Sequence, residues 1–435
     1  MFLKKNWSKL IAIKKMIRVL RIGDGNNEYS KHFIRNDCQY SGVLNDTRTG
    51  IFLWRLGKSR NIVNTFMSVF FVCGLSVLLW VAVGWSLSFS GNGAIVGNLH
   101  QLMMHGTNLK QLTTGKIPVG IFSIFEMMFA LITPALFVGA IVGRVRFKFL
   151  TFFIICWSIL IYYPLVHLVW GGGLLSKLGT LDFAGGTVVH INAGVTALVL
   201  SAMIGPRLHT KDSDGPADRS WVLLGTTLLW IGWDGFNAGS ALAVNSIAMQ
   251  AFLTTTVAAA AAMVTWQLLE IYTEGHTTLV GTCTGVLCGL VGITPACGYV
   301  TLTGALIIGI GSSLISGWFI TKIKPRLKVD DTLDAFGCHG VSGIWGSIAT
   351  GLFATHTVNP AVTHDGLLMG GGFTQFCIQT LATLVTIIAT AAMVWAIVKV
   401  LGRFMTIRVS AREEGRGLDI SEHHELIGSL ANPQL

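Results

Sequence analysis

Residues Asp182 to Gly194 read DFAGGTVVHINAG, and the same arrangement returns from Asp331 to Gly340 as DTLDAFGCHG. In each, an aspartate is followed eight residues on by a histidine set among glycines and apolar side chains, His190 in the first and His339 in the second. Whether the surroundings are a soluble core or a membrane interior decides the fold. The chain has 435 residues, 52% hydrophobic and 12% charged, against about 25% charged in an average soluble protein. Apolar stretches near the ~20 residues that cross a bilayer run over Ile62 to Phe89, Pro118 to Val142, Phe149 to Trp170, Phe183 to Ile204, Trp221 to Leu242, Ile247 to Tyr272, Leu279 to Ala296, Thr301 to Ile320, Ala335 to Ala354 and Leu367 to Val400, ten in all. They are too long and too continuously apolar for barrel strands, and in lipid every backbone N–H and C=O needs an internal partner, so each is predicted to be a helix.

Basic residues orient these spans, because short loops rich in lysine and arginine stay cytoplasmic. Arg55, Lys58 and Arg60 precede the first span, Arg144, Arg146 and Lys148 follow the second, Arg207, Lys211 and Arg219 follow the fourth, and Lys322, Lys324, Arg326 and Lys328 follow the eighth. The opposite loops offer only Lys110, Lys116 and Lys177, so both ends of the chain are placed in the cytoplasm. The net charge of +10 is thereby explained as a topology signal, and no nucleic acid partner is expected. The eight cysteines have no paired spacing and read as small buried hydrophobes. Residues 1–60 form a basic N-terminal extension, either a helix on an anionic membrane surface or a basic tail. The expected organisation is this extension, a transmembrane domain over 61–402 and a cytoplasmic tail over 403–435.

The two aspartate–histidine patterns lie in the fourth and ninth spans, with four spans between them, so their helices cross the membrane in opposite directions. An inverted repeat of five spans produces this relation and places the functional site between its halves near the midplane. Spans five to nine make one complete unit, whereas the first unit has only four. One helix is expected to be missing at the N-terminus, giving an all-α polytopic membrane bundle of ten spans instead of eleven.

Histidine at membrane depth is costly and usually faces a cavity or a partner. A metal site needs three or four ligands, and the spans offer little beyond Cys338 beside His339, so no metal or other cofactor is expected. Either histidine alone reads as a satisfied structural residue. Two at corresponding places of a repeat read as a pair lining one path, since neutral imidazoles each offer a donor and an acceptor without fixed charge. Asp182 precedes an apolar helix and is read as its cap. His167, one turn from Trp170, is read as a packing or hydrogen-bonding residue.

Five longer motifs carry a family resemblance: VWGGG (Val169 to Gly173), LDFAGGTVVHINAG (Leu181 to Gly194), GFNAGSAL (Gly235 to Leu242), GLVGITPACG (Gly289 to Gly298) and DDTLDAFGCHGVSGIWG (Asp330 to Gly346). In this order they resemble the ammonium transporter family, the Amt, Mep and Rh proteins, from about Gly50 to Ile427. The resemblance implies a homotrimer of eleven-helix subunits with one pore each, in the cell inner (plasma) membrane with the C-terminus cytoplasmic. It also implies that Phe129, Trp170 and Ser240 recruit ammonium, that Phe129 and Phe236 form a gate, that His190 and His339 line the pore, and that Asp182 supports the vestibule. An aromatic site attracts ammonium by cation–π interaction, and an apolar passage beyond it admits ammonia but not a bare cation.

Three departures accompany the resemblance. The family's first helix is not recognisable upstream of Thr49, as a misassigned start or a frame change upstream would produce. Glu126 stands where glutamine is usual and Asp234 where an apolar or aromatic residue is usual, and both are expected near the entrance as modulators of cation capture. The tail GLDISEHHELIG (Gly417 to Gly428) resembles the family segment that meets the PII signalling protein, but departs at Leu426 to Gly428. The expected function is therefore an ammonium transporter working across a lipid bilayer, not an enzyme. An ammonium sensor and a non-functional paralogue lacking the first helix are the alternatives.

Overall fold

The structure is a computed structural model that describes residues 59–114, 117–208 and 219–425; the expected N-terminal extension up to residue 58 and the tail departure at 426–428 lie outside them. Ten long helices follow one another: α1 (Ile62–Phe89), α2 (Val119–Ile141), α3 (147–169), α4 (Gly186–Ile204), α5 (Arg219–Gly239), α6 (Ser246–Glu274), α7 (Leu279–Ile293), α8 (Leu302–Leu327), α9 (336–353) and α10 (Thr374–Leu401). Among the described residues there is no strand. By length and hydropathy alone seven of these helices can cross a membrane. The other three are α5, α7 and α9; glycines and the polar groups they turn inward lower the hydropathy of α5 and α9, and α7 is short.

Eight of the predicted spans match within a few residues; the eighth was expected to end at Ile320, but α8 continues through its basic residues Lys322, Lys324 and Arg326 to Leu327. The tenth was expected from Leu367, but Leu367–Met369 is a separate turn, Gly370 and Gly372 take positive φ, and α10 begins at Thr374. An apolar run does not reveal a left-handed backbone that ends a turn. Side-chain caps mark other starts: Asn245 accepts from Ala248 N–H, Thr278 from Gly281 N–H and Thr301 from Gly304 N–H.

Buried faces are dense with aromatic and small residues, including Trp80, Trp157, Tyr162, Tyr163 and Phe137, while Phe70, Leu78 and Ile388 point outward, as lipid-facing side chains do. The central crossing is α4 against α9. A Cβ on Gly194 would collide with the backbone of Gly340, and one on Gly343 would sit 3.2 Å from the His190 Cβ. Contact rises along one helix as it falls along the other, so the two run antiparallel, as the inverted repeat requires. On the side carrying the basic loops, the Arg144 guanidinium reaches the Thr332 hydroxyl and the Ala140 and Asp330 carbonyls, joining the α2–α3 and α8–α9 connections. Arg207 pairs with Asp330 at 2.8 Å. Burial alone would push the Asp330 carboxyl up, but the Arg207 hydrogen bonds outweigh it and hold the group below the usual carboxylate range.

Candidate functional site

Both histidines sit in short π-helical turns, Gly186–Ile191 in α4 and Phe336–Val341 in α9. Such turns shift the register by one residue and frequently occur at functional sites. Each is capped at its N-terminal end by its aspartate. The Asp182 carboxylate accepts from four successive N–H groups, Gly185 at 3.0 Å, Gly186 at 2.6 Å, Thr187 at 2.8 Å and Val188 at 3.1 Å. The Asp331 carboxylate accepts from Ala335 N–H at 3.0 Å and Phe336 N–H at 2.7 Å. The eight-residue spacing is thus a cap followed by one wide turn.

The wide turns bring the two rings together. His190 and His339 stack with centroids 5.3 Å apart and planes 14° from parallel. The Trp233 indole also stacks with His190, at 5.1 Å and 15°, while its Nε1 donates to the Thr294 hydroxyl at 2.8 Å. Both histidines are buried, and Nδ1 of each has no hydrogen-bond partner among the described residues. Buried polar atoms of this kind are rare unless a guest meets them.

Beside His190 lies a small cavity of about 30 Å³, lined by Phe129, Val189, His190, Trp233, Phe236 and Asn237 among others. Phe129 from α2 and Phe236 from α5 close it with centroids 4.9 Å apart. Trp170, at the end of α3, packs on Phe129 at 5.4 Å and donates its Nε1 to the Asp182 carbonyl at 2.8 Å. The amide Nδ2 of Asn237 donates to the Thr255 hydroxyl at 2.9 Å, leaving Oδ1 without a partner among the described residues. The lining is therefore apolar with a few convergent polar atoms, the character of a small-molecule site.

Phe129, Trp170, Phe236, His190 and His339 thus form one column, with Asp182 behind it. Ser240 lies one turn past Phe236, and its hydroxyl donates to the Phe236 carbonyl at 3.0 Å. Neither acid lines the cavity. Asp234 faces α6, accepting from the Thr256 hydroxyl at 3.2 Å, and Glu126 is buried one turn before Phe129 with Oε2 unpartnered among the described residues. Residues 233, 236 and 237 share a helix face that 234 does not. His167 is a hydrogen-bonding residue as expected, its ring nitrogens 2.9 Å from the Ser88 carbonyl and 2.8 Å from the Gly93 carbonyl. Trp233 and Asn237 were missed as site residues; their spacing from Phe236 was the available signal.

The model of the Ammonium Transporter Family matches residues 42–426. An ammonium transporter of Bacillus subtilis (strain 168) is 39% identical over 378 residues, covering 86% of this chain and 92% of that protein. A putative ammonium transporter of Methanothermobacter thermautotrophicus is 40% identical over 378 residues, with the same coverage of 86% and 92%. Among solved structures, Candida albicans Mep2 superposes with a TM-score of 0.80 at 29% identity, over 88% of this chain and 87% of that one. A structure described as a sensor Amt protein superposes with a TM-score of 0.82 at 27% identity, over 91% and 98% of the two chains.

Proposed function

Because the chain belongs to the Ammonium Transporter Family, we propose that it recruits ammonium at the Trp170 and Phe129 faces, takes it past the Phe129–Phe236 gate, and conducts ammonia along His190 and His339. The observation that carries this reading is the stacked pair of buried imidazoles beneath an aromatic lid. An ammonium ion at Trp170 and Phe129 gains cation–π attraction, and Ser240 adds a hydroxyl once its side chain turns from its own helix. Beyond the gate an intact cation loses its hydration without gaining a counter-charge. A neutral ammonia molecule fits the small cavity and exchanges hydrogen bonds with imidazole nitrogens, each able to donate or accept. Potassium has no proton to surrender and stops at the lid. Asp182 fixes the turn that aims His190 and holds Trp170 through its own backbone carbonyl.

The site acts from a multi-pass membrane bundle; a homotrimer in the plasma membrane, a cytoplasmic C-terminus and PII docking at the tail belong to the same proposal. Radiolabelled methylammonium uptake by cells lacking their own transporter tests it. Uptake that His190→Ala abolishes supports conduction, and absence of uptake by the folded wild type overturns it. The likeness to a sensor Amt protein and the buried Glu126 carboxyl beside the lid favour a receptor as the second reading. Binding without uptake is its signature.

A further inference from the structure

Directly behind the pore histidines is a group that the transport reading does not use. Cys288 on α7 and Cys338 on α9 pack together in one buried cluster with Trp266 and Ile320. Their thiols lie close to each other, and the Ser316 and Ser342 hydroxyls lie close to Cys288. Those two hydroxyls are 2.8 Å apart. Both cysteines are free. Three helices therefore bring two thiols and two hydroxyls into one dry nest, and Cys338 immediately precedes His339 inside its π-helical turn. A lone buried cysteine is a small hydrophobe, but two thiols in mutual contact have a reaction open to them.

We propose that Cys288 and Cys338 form an oxidisable dithiol whose disulfide pins the turn carrying His339 to α7. The oxidant is a hydroperoxide, with hydrogen peroxide the smallest of its class. It is a neutral, hydrogen-bonding molecule of the size the passage admits, so its access rests on the proposed function while the dithiol itself does not. One sulfur attacks a peroxide oxygen, the O–O bond breaks, and the departing oxygen leaves as water, giving a sulfenic acid. The second thiol attacks that sulfur, the S–S bond forms, the S–O bond breaks and a second water leaves. The two thiols give up two electrons and two protons, and the peroxide receives both. The Ser316 and Ser342 hydroxyls stand beside Cys288 to relay its proton to the departing hydroxide, which leaves as the first water. Once formed, the bond ties His339's turn to a neighbouring helix, and its register is no longer free to adjust.

The test is peroxide treatment of the full chain in proteoliposomes, followed by non-reducing digestion with mass spectrometry and by methylammonium uptake. The expected result is a cross-linked peptide pair containing Cys288 and Cys338, with uptake lowered about tenfold, within what small misplacements of a working group cost, and restored by dithiothreitol. Cys288→Ser and Cys338→Ser proteins should keep their uptake under the same treatment. Absence of the cross-link in wild type overturns the proposal, as does an equal peroxide loss in the two variants or a cross-link that leaves uptake unchanged. A wild type without uptake before treatment counts against the transport reading instead, and the cross-link still reports on the dithiol.

Discussion

Asp182 makes four hydrogen bonds with backbone N–H groups at the head of α4, and replacing it with alanine leaves those donors without an acceptor in a buried place. At about 1–3 kcal/mol for each buried group left unsatisfied, Asp182→Ala should lower stability by at least that much and misaim His190. Detergent-solubilised protein heated in steps and passed over a sizing column measures the first effect; an unchanged midpoint would show that water replaces the carboxylate without cost. The cap was legible in the sequence because an acid ahead of an apolar helix has one common use. The Trp233 ring, stacked on His190 at 5.1 Å, was not, since a tryptophan in a membrane segment is ordinarily packing. Trp233→Leu should therefore cut uptake more than it cuts stability, and equal losses in the two would return Trp233 to the packing residues. For Glu126 and Asp234 the sequence marked the unusual residues but not their direction, which depends on helix phase within a single turn.

The same problem of phase appears at the level of helices. Hydropathy reports where an apolar run begins and ends, and the ends of eight helices follow from it. It does not report a π-helical turn, which changes register without changing composition. The turns at Gly186–Ile191 and Phe336–Val341 were visible only as an eight-residue spacing repeated in two helices. Among the glycines nearby, Gly194 meets the Gly340 backbone with no room for a Cβ. Gly194→Val should push α4 away from α9 and separate the stacked imidazoles, leaving the helices themselves intact because either residue propagates a buried helix. Uptake should fall about tenfold or more, as small misplacements of working groups do, with the circular dichroism of the purified protein unaltered. Uptake at wild-type level would mean that the crossing is looser than the glycines imply.

Across the described molecule, the tail ties the head of α1 to the α2–α3 connection. After α10 the chain pairs with the α2–α3 connection through Arg146 N–H to the Ile407 carbonyl at 3.0 Å and Val409 N–H to the Arg144 carbonyl at 3.1 Å. Two short helices follow, α11 (Ala411–Arg416) and α12 (Leu418–His423). Asp419 accepts from the Ile62 and Asn64 N–H groups at the head of α1, at 2.9 and 2.8 Å. Arg146 bridges Glu413 at 2.6 Å and Glu422 at 2.8 Å. These contacts were not legible in the sequence, because partners more than 250 residues apart share no local pattern. The Ser410 hydroxyl first and Arg146 second lower the Glu413 carboxyl from 4.5 to about 2. A carboxyl lowered on docking favours the docked tail fully above its ordinary value and ceases to do so as pH falls through the lowered one. The tail should thus stay docked at pH 5 and loosen between about pH 4.5 and 2, with only a modest contribution from this half-exposed pair. Hydrogen exchange of the 411–425 peptides measures the docking directly. Protection should fall from pH 5 to pH 3 after correction for intrinsic exchange, and Glu413→Gln should be less protected at pH 5 and lose less on acidification. Equal protection at both pH values in the wild type, with the variant indistinguishable from it, would mean that Asp419 and the backbone pairing hold the tail without Glu413.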